Sequence, residues 1–171
     1  MNTKTNIYLL RHSESEKGTF ENNERPLSKH GIKYAEAIAP FILGLNCSYV
    51  YSSPFKRAID TIKPYCELAK CSFQIEESFR EGTEQETKEI LARKINPFLL
   101  RITNEHSGKN ILICTHGGVI FSLISSYLPT FSYENYKLLT SPDIKCIVFH
   151  GNVGKYDEDF HFDLKTIETT N

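Results

Sequence analysis

Hydrophobic residues along the chain fall into two patterns, short continuous runs and longer stripes with a helical period. The runs predict strands buried on both faces, and the stripes predict amphipathic helices. The predicted strands cover residues 7–10, 50–51, 72–75, 110–114, 144–150 and 160–164, the last of them at a sheet edge. Because these strands alternate with helices, we predict an α/β fold, a three-layer α/β/α arrangement with a mainly parallel central sheet.

Predicted helices fill the intervals between the strands. One helix opens after an N-cap at Ser28, and another has Pro54 at its first position. Later helices are predicted at residues 83–106, 119–128 and 133–139. Pro40 lies inside the first helix, and we expect it to end or kink that helix. Pro64 is expected to kink the second helix in the same way.

Polar side chains follow the apolar runs at several strand ends. Arg11 and His12 come directly after the first run, and later runs are followed by Arg57, Glu81 and His116. Taken singly, each has an ordinary structural explanation, such as a solvated arginine, a loop carboxylate or a core histidine. Since the ligands of parallel sheets bind beyond the carboxyl ends of the strands, we expect one crevice to hold all five.

This set of side chains is suited to transfer of a phosphoryl group through a histidine. A neutral imidazole can attack phosphorus when its other ring nitrogen is fixed by a hydrogen bond, and His12 is the candidate nucleophile. The guanidinium forks of Arg11 and Arg57 match phosphoryl oxygens, and His116 can donate to the same group. Glu81 can protonate the leaving alkoxide. These roles are filled without a metal ion or a cofactor.

Composition and charge narrow the class of protein. The 171 residues are enough for one domain, predicted to cover residues 1–171, and the hydrophobic content of 40% is typical of a globular chain. The net charge of -1 gives no reason to expect nucleic acid or an anionic membrane as a partner. No apolar stretch is long enough to span a bilayer, and no signal peptide precedes the first strand, so we predict a cytoplasmic protein. The five cysteines include no C-x-x-C pair and are interpreted as reduced hydrophobic side chains.

The segment at residues 13–26 is polar and has neither a helical nor a strand period. Loops of this length inside a compact domain are usually functional, so we expect this one to help select the substrate. Lys17, Arg25 and Lys29 are candidate contacts for a second anionic group on that substrate. A solvated loop face is an equally good interpretation of these three cations.

Four segments resemble the signature motifs of the histidine phosphatase superfamily, which has the phosphoglycerate mutase-like fold. They are LRHSES at residues 10–15, SSPFKRAIDT at 52–61, REG at 80–82 and THGG at 115–118. The residues PLS at 26–28, together with Gly31, resemble the way the family opens its first helix. The resemblance covers nearly the whole chain, with the motifs in the family's order.

The resemblance implies a role for each candidate residue. His12 is identified with the residue that becomes phosphorylated and Glu81 with the proton donor, and neither a metal nor a cofactor is implied. Arg11, Arg57 and His116 are identified with the phosphate pocket of the family. Separately from the resemblance, we predict substrate contacts at Ser15, Gly117 and Arg25.

The chain departs from the family pattern in its first motif and in the loop that follows. Ser13 stands where members often have Gly or Ala, but its backbone carbonyl is still available to orient His12. Gly18 stands where many members have an Asn that contacts phosphate, so this contact is either lost or supplied by Asn22 or Asn23.

A third departure concerns the acid. The sequence after it, GTEQE at residues 82–86, matches the glycine-rich signature of the family only in part. Glu84 and Glu86 are therefore alternatives to Glu81 as the proton donor.

The implied function is a metal-independent phosphatase that hydrolyses phosphate monoesters through a phosphohistidine on His12. Mutases of the superfamily usually carry a longer insertion between the positions of Glu81 and His116, whereas residues 82–115 are mostly used by one predicted helix. This segment is expected to form only a short cover over the site, which leaves the phosphohistidine open to water and favours hydrolysis over return of the phosphoryl group. Together with the loop at residues 13–26, the cover is expected to choose the substrate.

Two other functions stay open at this point, a phosphoglycerate mutase-type phosphotransferase and a non-catalytic phosphate-binding regulatory module. The expected partner is a small phosphorylated substrate or a phosphoprotein, with no nucleic acid and no membrane. The sequence leaves the identity of the substrate and the oligomeric state undetermined.

Overall fold

Six strands form one sheet in the computed structural model, which describes residues 3–168. In chain order they are β1 (Lys4–Arg11), β2 (Tyr49–Ser52), β3 (Gln74–Ile75), β4 (Asn110–Thr115), β5 (Asp143–His150) and β6 (Val153–Tyr156). Across the sheet the order is β3-β2-β4-β1-β5-β6. The first four strands in this order run parallel, whereas β5 and β6 pair antiparallel to their neighbours β1 and β5. The predicted α/β fold with a mainly parallel sheet is confirmed.

Helices cover both faces of the sheet. They are α1 (Lys29–Gly44), α2 (Lys56–Ala69), α3 (Lys88–Glu105), α4 (Gly117–Tyr127), α5 (Tyr133–Lys137) and α6 (Lys165–Glu168). One hydrophobic cluster joins the sheet to α3 and α4, and a second cluster joins the opposite face to α1 and α2. These two clusters form the interfaces of the three layers.

The central strand β1 contributes to both clusters in alternation. Ile7 and Leu9 pack with α3 and α4, whereas Tyr8 and Leu10 pack with α1 and α2. All four side chains are buried. A strand covered on both faces needs apolar residues at every position, which explains the continuous run in the sequence.

Three parallel strands end at the same edge of the sheet. In the register of the sheet, Arg11 at the end of β1 lies opposite Thr115 of β4, and Ser52 of β2 lies opposite Cys114 of β4. The residues that immediately follow these strands therefore emerge together. This edge is where the sequence predicted a common crevice.

The boundaries of α1, α2 and α3 differ from the prediction. The expected N-cap at Ser28 is present, since its hydroxyl accepts a hydrogen bond from the backbone N–H of Gly31. The helix that follows, α1, continues through Pro40 instead of ending there. Proline has no N–H, so the carbonyl of Glu36, four positions earlier, lacks its helical hydrogen bond. Pro40 and Glu36 are both exposed, so water can hydrate this carbonyl.

The second and third helices begin later than predicted. Helix α2 starts at Lys56, because Phe55 has an extended backbone and leaves Pro54 outside the helix. Helix α3 starts at Lys88 rather than at residue 83, with Thr87 as its N-cap. The five residues in between form a loop that is held by its own side-chain contacts.

The last predicted strand, at residues 160–164, is wrong. Its alternating apolar residues belong to an irregular segment, in which the rings of Phe160 and Phe162 pack on Tyr8 and Phe41. The sheet instead ends with β6, which forms a hairpin with β5 through the two residues Gly151-Asn152. Gly151 has a positive φ of 60°, as such a tight turn requires.

Among residues 3–168, no helix combines the length and the apolar character that crossing a membrane demands.

Candidate active site

The two candidate histidines meet at the strand ends. His12 follows β1, and its backbone N–H donates to the carbonyl of Thr115 at 2.9 Å. His116 follows β4 and is the N-terminal flanking residue of α4. The two imidazole rings lie edge to face with their centroids 5.2 Å apart, and both side chains are buried. The parallel pairing of β1 with β4 therefore fixes the distance between them.

The ring of His12 is oriented by the backbone. Its Nδ1 lies 2.7 Å from the carbonyl oxygen of Ser13, which can only accept, so Nδ1 carries the proton. The lone pair is then on Nε2, which accepts from Nε of Arg57 at 3.2 Å. Burial lowers the pKa of His12 to about 3; the Ser13 carbonyl opposes this shift, and the charge of Arg57 adds to it. His12 is thus a neutral imidazole with a defined tautomer.

The backbone around His12 is itself held by hydroxyl groups from remote segments. The N–H of Ser13 donates to Oγ1 of Thr61, and Thr61 donates to the carbonyl of Arg57. Ser141 donates its hydroxyl proton to the carbonyl of His12 at 2.7 Å. Ser13, the serine of the first motif, therefore still provides the backbone carbonyl that orients the ring of His12.

Arg57 connects the nucleophile candidate to the acid candidate. Besides its contact with His12, its Nη2 donates to Oε2 of Glu81 at 2.7 Å and its Nη1 donates to the carbonyl of Asn22 at 2.6 Å. The side chain is almost completely buried and packs on the ring of Phe55. Burial lowers the pKa of Arg57, while the adjacent Glu81 carboxylate acts in the opposite direction.

Arg11 is anchored at one end of its guanidinium only. Its Nη1 donates to the carbonyls of Leu139 and Thr140 at 2.7 Å and 3.2 Å. Its Nε is buried and has no partner among the described residues. Gly117 lies against this side chain, because a Cβ built there would stand 3.1 Å from Nε. A glycine at this position lets Arg11 approach the start of α4.

His116 has one occupied and one unpartnered ring nitrogen. Its Nε2 lies 2.8 Å from the hydroxyl of Ser53, and that hydroxyl already accepts from the N–H of Phe55. The serine hydroxyl still has its own proton to donate to Nε2, and in that arrangement Nδ1 is the protonated nitrogen. Nδ1 is buried without a partner among the described residues. Burial, followed by the proximity of His12, lowers the pKa of His116 well below the usual value.

Glu81 is less enclosed than the histidines, with 36% of its side chain exposed. Its Oε2 accepts from Arg57 and also from Nδ2 of Asn22, at 3.0 Å. Oδ1 of Asn22 in turn accepts from Nη2 of Arg25 at 2.7 Å. Asn22 therefore joins the acid candidate to a predicted substrate contact.

The two alternative acids occupy different positions. Glu86 is bound by both Nη atoms of Arg80, at 2.9 Å and 3.1 Å, and by the backbone N–H of Thr83 at 2.9 Å. The Thr83 contact, followed by Arg80, lowers the pKa of Glu86 to about 2. Glu84 is exposed. Of the three carboxylates, only Glu81 lines the cavity described next.

A cavity of about 520 Å³ opens at the strand ends. Its walls are formed by Arg11, His12, Glu14, Ser15, Glu16, Lys17, Gly18, Arg25, Arg57, Glu81 and Ser141. The predicted contacts Ser15, Lys17 and Arg25 belong to this wall, whereas Lys29 does not. His116 and Gly117 lie behind the wall, next to His12 and Arg11.

The wall is built mostly by the loop at residues 13–26, the segment that we expect from its length to help select the substrate. The predicted cover at residues 82–115 contributes none of the lining residues. Helix α3 packs instead against α4 on the face of the sheet. The expectation that this cover helps to choose the substrate is therefore not supported by the position of the helix.

Sequence reasoning missed several residues that hold the site. Ser53, Thr61 and Ser141 act through hydroxyl groups whose partners are 48 to 129 positions away in sequence. Ser53 and Thr61 lie inside the second motif, at residues 52–61, but no role was assigned to them. Ser141 lies in the stretch Thr140-Ser141-Pro142-Asp143, which has the composition of a turn. In the described part of the chain, no three His, Cys, Asp or Glu side chains gather as metal ligands would.

Comparisons with known proteins indicate the same family as the motifs. The model of the histidine phosphatase superfamily (branch 1) matches residues 7–83 and 82–156. A Hydrogenobacter thermophilus protein, named provisionally as phosphoserine phosphatase 2, is 23% identical over 155 residues, which cover 69% of this chain and 76% of that protein.

Solved structures share the fold. A mutant phosphoserine phosphatase from Entamoeba histolytica, in complex with phosphoserine, superposes with a TM-score of 0.76 at 20% identity, covering 90% of this chain and 95% of that chain. The protein histidine phosphatase SixA, in complex with tungstate, superposes with a TM-score of 0.74 at 17% identity, covering 95% and 99%. At this level of identity the likeness establishes the architecture.

Proposed function

Because the chain belongs to the histidine phosphatase superfamily (branch 1), we propose that it hydrolyses phosphate monoesters through a phosphohistidine formed on His12. The observation that carries the proposal is the state of this ring. Nδ1 is fixed by the Ser13 carbonyl, and the lone pair of Nε2 faces the guanidinium of Arg57. A buried neutral imidazole with a fixed tautomer has the properties of an attacking nucleophile.

The phosphoryl group would bind beside Nε2 of His12. Arg57 already reaches this atom. Nε of Arg11 and, in the tautomer in which Nε2 accepts from Ser53, Nδ1 of His116 are buried donors without a partner among residues 3–168. Such donors are costly to bury, and phosphoryl oxygens would satisfy them. The same donors stabilise the charge that develops on the equatorial oxygens during transfer.

Glu81 completes the first step of the reaction as the acid. Nε2 of His12 attacks phosphorus, the P–O bond to the alcohol breaks, and Glu81 gives its proton to the departing oxygen. In the second step a water molecule attacks the phosphohistidine, the N–P bond breaks, and the phosphate leaves as H2PO4− with both protons of the water, while Glu81 regains its proton from solvent. Arg57 and Asn22 both donate to Oε2, so Oε1 is the oxygen available for the transferred proton.

The cavity supports a small, polar phosphate ester as substrate. Beyond the phosphate pocket its wall carries the cations Lys17 and Arg25 together with the carboxylates Glu14 and Glu16. A substrate with further charged groups fits this mixture better than an apolar ester does. The relative solved with phosphoserine is an example of an enzyme with such a ligand.

A phosphoprotein is the second candidate substrate. The cavity is walled mostly by one loop, and the segment at residues 82–115 contributes no lining residue, so a phosphorylated side chain on another protein could reach His12. The likeness of the fold to a protein histidine phosphatase makes this class worth testing. The same absence of lining residues from 82–115 favours hydrolysis over a mutase reaction. The cytoplasmic location stays a prediction of the sequence.

Release of inorganic phosphate from a panel of phosphate esters and phosphopeptides, measured in the presence of a chelator, tests the proposal. We expect the wild type to release phosphate and His12→Ala to lose this activity by several orders of magnitude. His30→Ala is the matched control, because His30 is an exposed histidine at the start of α1. Equal release by wild type and His12→Ala would refute the proposal. Release from no substrate would indicate a mutase or a binding module instead.

A further inference from the structure

The loop that carries Glu81 is closed by a side-chain clamp. The two Nη atoms of Arg80 grip the carboxylate of Glu86, at 2.9 Å and 3.1 Å. The same Nη1 of Arg80 donates to the backbone carbonyl of Glu81 at 2.8 Å. A single guanidinium therefore connects the backbone of the acid candidate with a carboxylate five residues further along the chain.

Glu86 holds the loop at a second point. Its Oε2 accepts from the backbone N–H of Thr83 at 2.9 Å, and the backbone N–H of Glu86 donates to the carbonyl of Thr83 at 3.0 Å. Lys94 of α3 approaches the other carboxylate oxygen at 3.7 Å. The side chain of Glu86 is only 16% exposed, so water screens these contacts poorly. The low pKa of Glu86 agrees with a carboxylate that stays charged inside this clamp.

The residues on either side of Glu81 are anchored to the body of the protein. The carbonyl of Phe79 accepts from the hydroxyl of Thr115 at the end of β4, at 2.8 Å. Gly82 packs so closely on Leu91 of α3 that a Cβ at this position would lie 2.8 Å from a Leu91 methyl group. Between these anchors, the clamp is the contact that fixes the backbone carbonyl of Glu81.

We propose that Glu86 is a positioning residue for the proton donor, acting through Arg80 and the Thr83 N–H to hold the backbone of Glu81 against Arg57. This inference rests on the proposed function, because it presupposes that Glu81 transfers the proton. It also gives Glu86 a role other than that of the alternative acid.

The expected consequence is selective for the leaving group. Glu81 is partly exposed, so its carboxylate depends on the backbone position for its alignment with the departing oxygen. Loosening the loop would misplace the acid without touching the phosphate pocket. Alkyl phosphates, whose leaving groups need a proton, should suffer, whereas aryl phosphates with acidic phenols should not.

The test compares Glu86→Gln with the matched control Glu84→Gln, which removes the same charge from an exposed position two residues away. We expect Glu86→Gln to lower kcat for an alkyl phosphate about tenfold, a partial loss of the contribution of a general acid, with little change in KM. For an aryl phosphate both variants should stay within about twofold of the wild type. Arg80→Lys breaks the same clamp from the other side and covers the case in which Glu86→Gln does not fold.

A double variant separates positioning from chemistry. If Glu86 acts through Glu81, then Glu86→Gln should have no further effect on alkyl phosphates in a Glu81→Gln background. A full additional loss in that background would overturn the proposal and restore Glu86 as an acid. An alkyl rate equal to that of Glu84→Gln would overturn it as well.

Failure of the proposed function has a different signature. If Glu81→Gln alone reduces alkyl and aryl hydrolysis equally, then Glu81 is not the proton donor and the premise fails. If Glu81→Gln is selective for alkyl phosphates but Glu86→Gln and Arg80→Lys are not, then only the positioning role fails.

Discussion

The two halves of the candidate active site are held in different ways. On the nucleophile side, His12 and His116 follow neighbouring parallel strands, and the backbone of one strand end fixes the ring of His12. On the acid side, Glu81 sits on a loop, and its position depends on the side chains of Arg80, Glu86 and Asn22. The histidines are buried, whereas the acid is 36% exposed.

This difference indicates which part of the active site must be rigid. Nucleophilic attack requires one ring nitrogen to face phosphorus in one tautomer, and a sheet edge holds that geometry firmly. Proton transfer must serve leaving groups of different size, for which a carboxylate on a loop is suited. Arg57 is the residue that contacts both halves.

The largest effect is therefore expected from Arg57→Lys, which breaks the link between the halves. A lysine has no planar fork and cannot reach His12, Glu81 and the Asn22 carbonyl together. We expect kcat/KM to fall by about 100- to 1000-fold on alkyl and aryl phosphates alike, because a donor to the phosphoryl group is lost. Arg101→Lys, on an exposed residue of α3, is the control. A loss confined to alkyl phosphates would place Arg57 with the acid alone.

Low pH should destabilise the folded protein through the buried histidines on the nucleophile side of the site. The pKa of His12 is lowered from 6.5 to about 3 on folding, and the pKa of His116 is lowered as well. Below pH 6.5 the unfolded chain therefore binds protons that the folded protein does not, so stability is retained above this pH and is lost as the pH falls toward the folded-state values.

Urea unfolding at several pH values between about 7 and 4 measures this loss, with a slope of about one proton per buried histidine. His12→Gln should reduce the slope by about one proton, whereas His30→Gln should not. A pH dependence that is the same in His12→Gln and in the wild type would contradict the buried neutral state of His12.

A smaller effect is expected from Ser53→Ala, which tests whether a side chain orients His116. The variant leaves Nε2 of His116 without its partner, so the ring can adopt the other tautomer. We expect kcat to fall about tenfold on both ester classes, the value of one hydrogen bond in the transition state. Ser52→Ala, which removes a neighbouring hydroxyl that donates to the Ser53 carbonyl, is the control. Equal rates for the two variants would mean that His116 is positioned by packing.

The smallest effect is expected at the rim of the acid side. Arg25→Gln removes a cation from the cavity wall and its contact with Asn22. We expect KM to rise a few fold, roughly the value of a partly exposed ion pair, for phosphate esters with a carboxylate and not for uncharged esters. The same rise for both kinds of ester would mean that Arg25 acts through Asn22 on the acid and does not contact the substrate.

The sequence was most informative where one strand or one motif decides the outcome. The superfamily, the enzyme class and the mainly parallel sheet, predicted from four motifs and from apolar runs such as residues 7–10, are confirmed. These features are local in sequence. The N-cap at Ser28 was predictable for the same reason.

Long-range contacts explain what could not be predicted. Helix α3 starts five residues late because Glu86 binds Arg80 and Thr83 instead of opening the helix. Residues 160–164 alternate like a strand, yet their aromatic rings pack on side chains of β1 and α1 rather than pair in the sheet. Partners of Ser53 and Ser141 depend on the assembled strand ends, which no local pattern encodes.

Detection of the phosphoryl group on the protein tests the central claim most directly. Wild-type protein mixed with an aryl phosphate would be quenched in alkali within milliseconds, since a phosphohistidine survives base and not acid, and its peptides analysed by mass spectrometry. We predict one added phosphoryl group on the peptide that contains His12, and none in His12→Gln. Turnover with no phosphorylated peptide, or a phosphoryl group on His116 instead, would contradict the account.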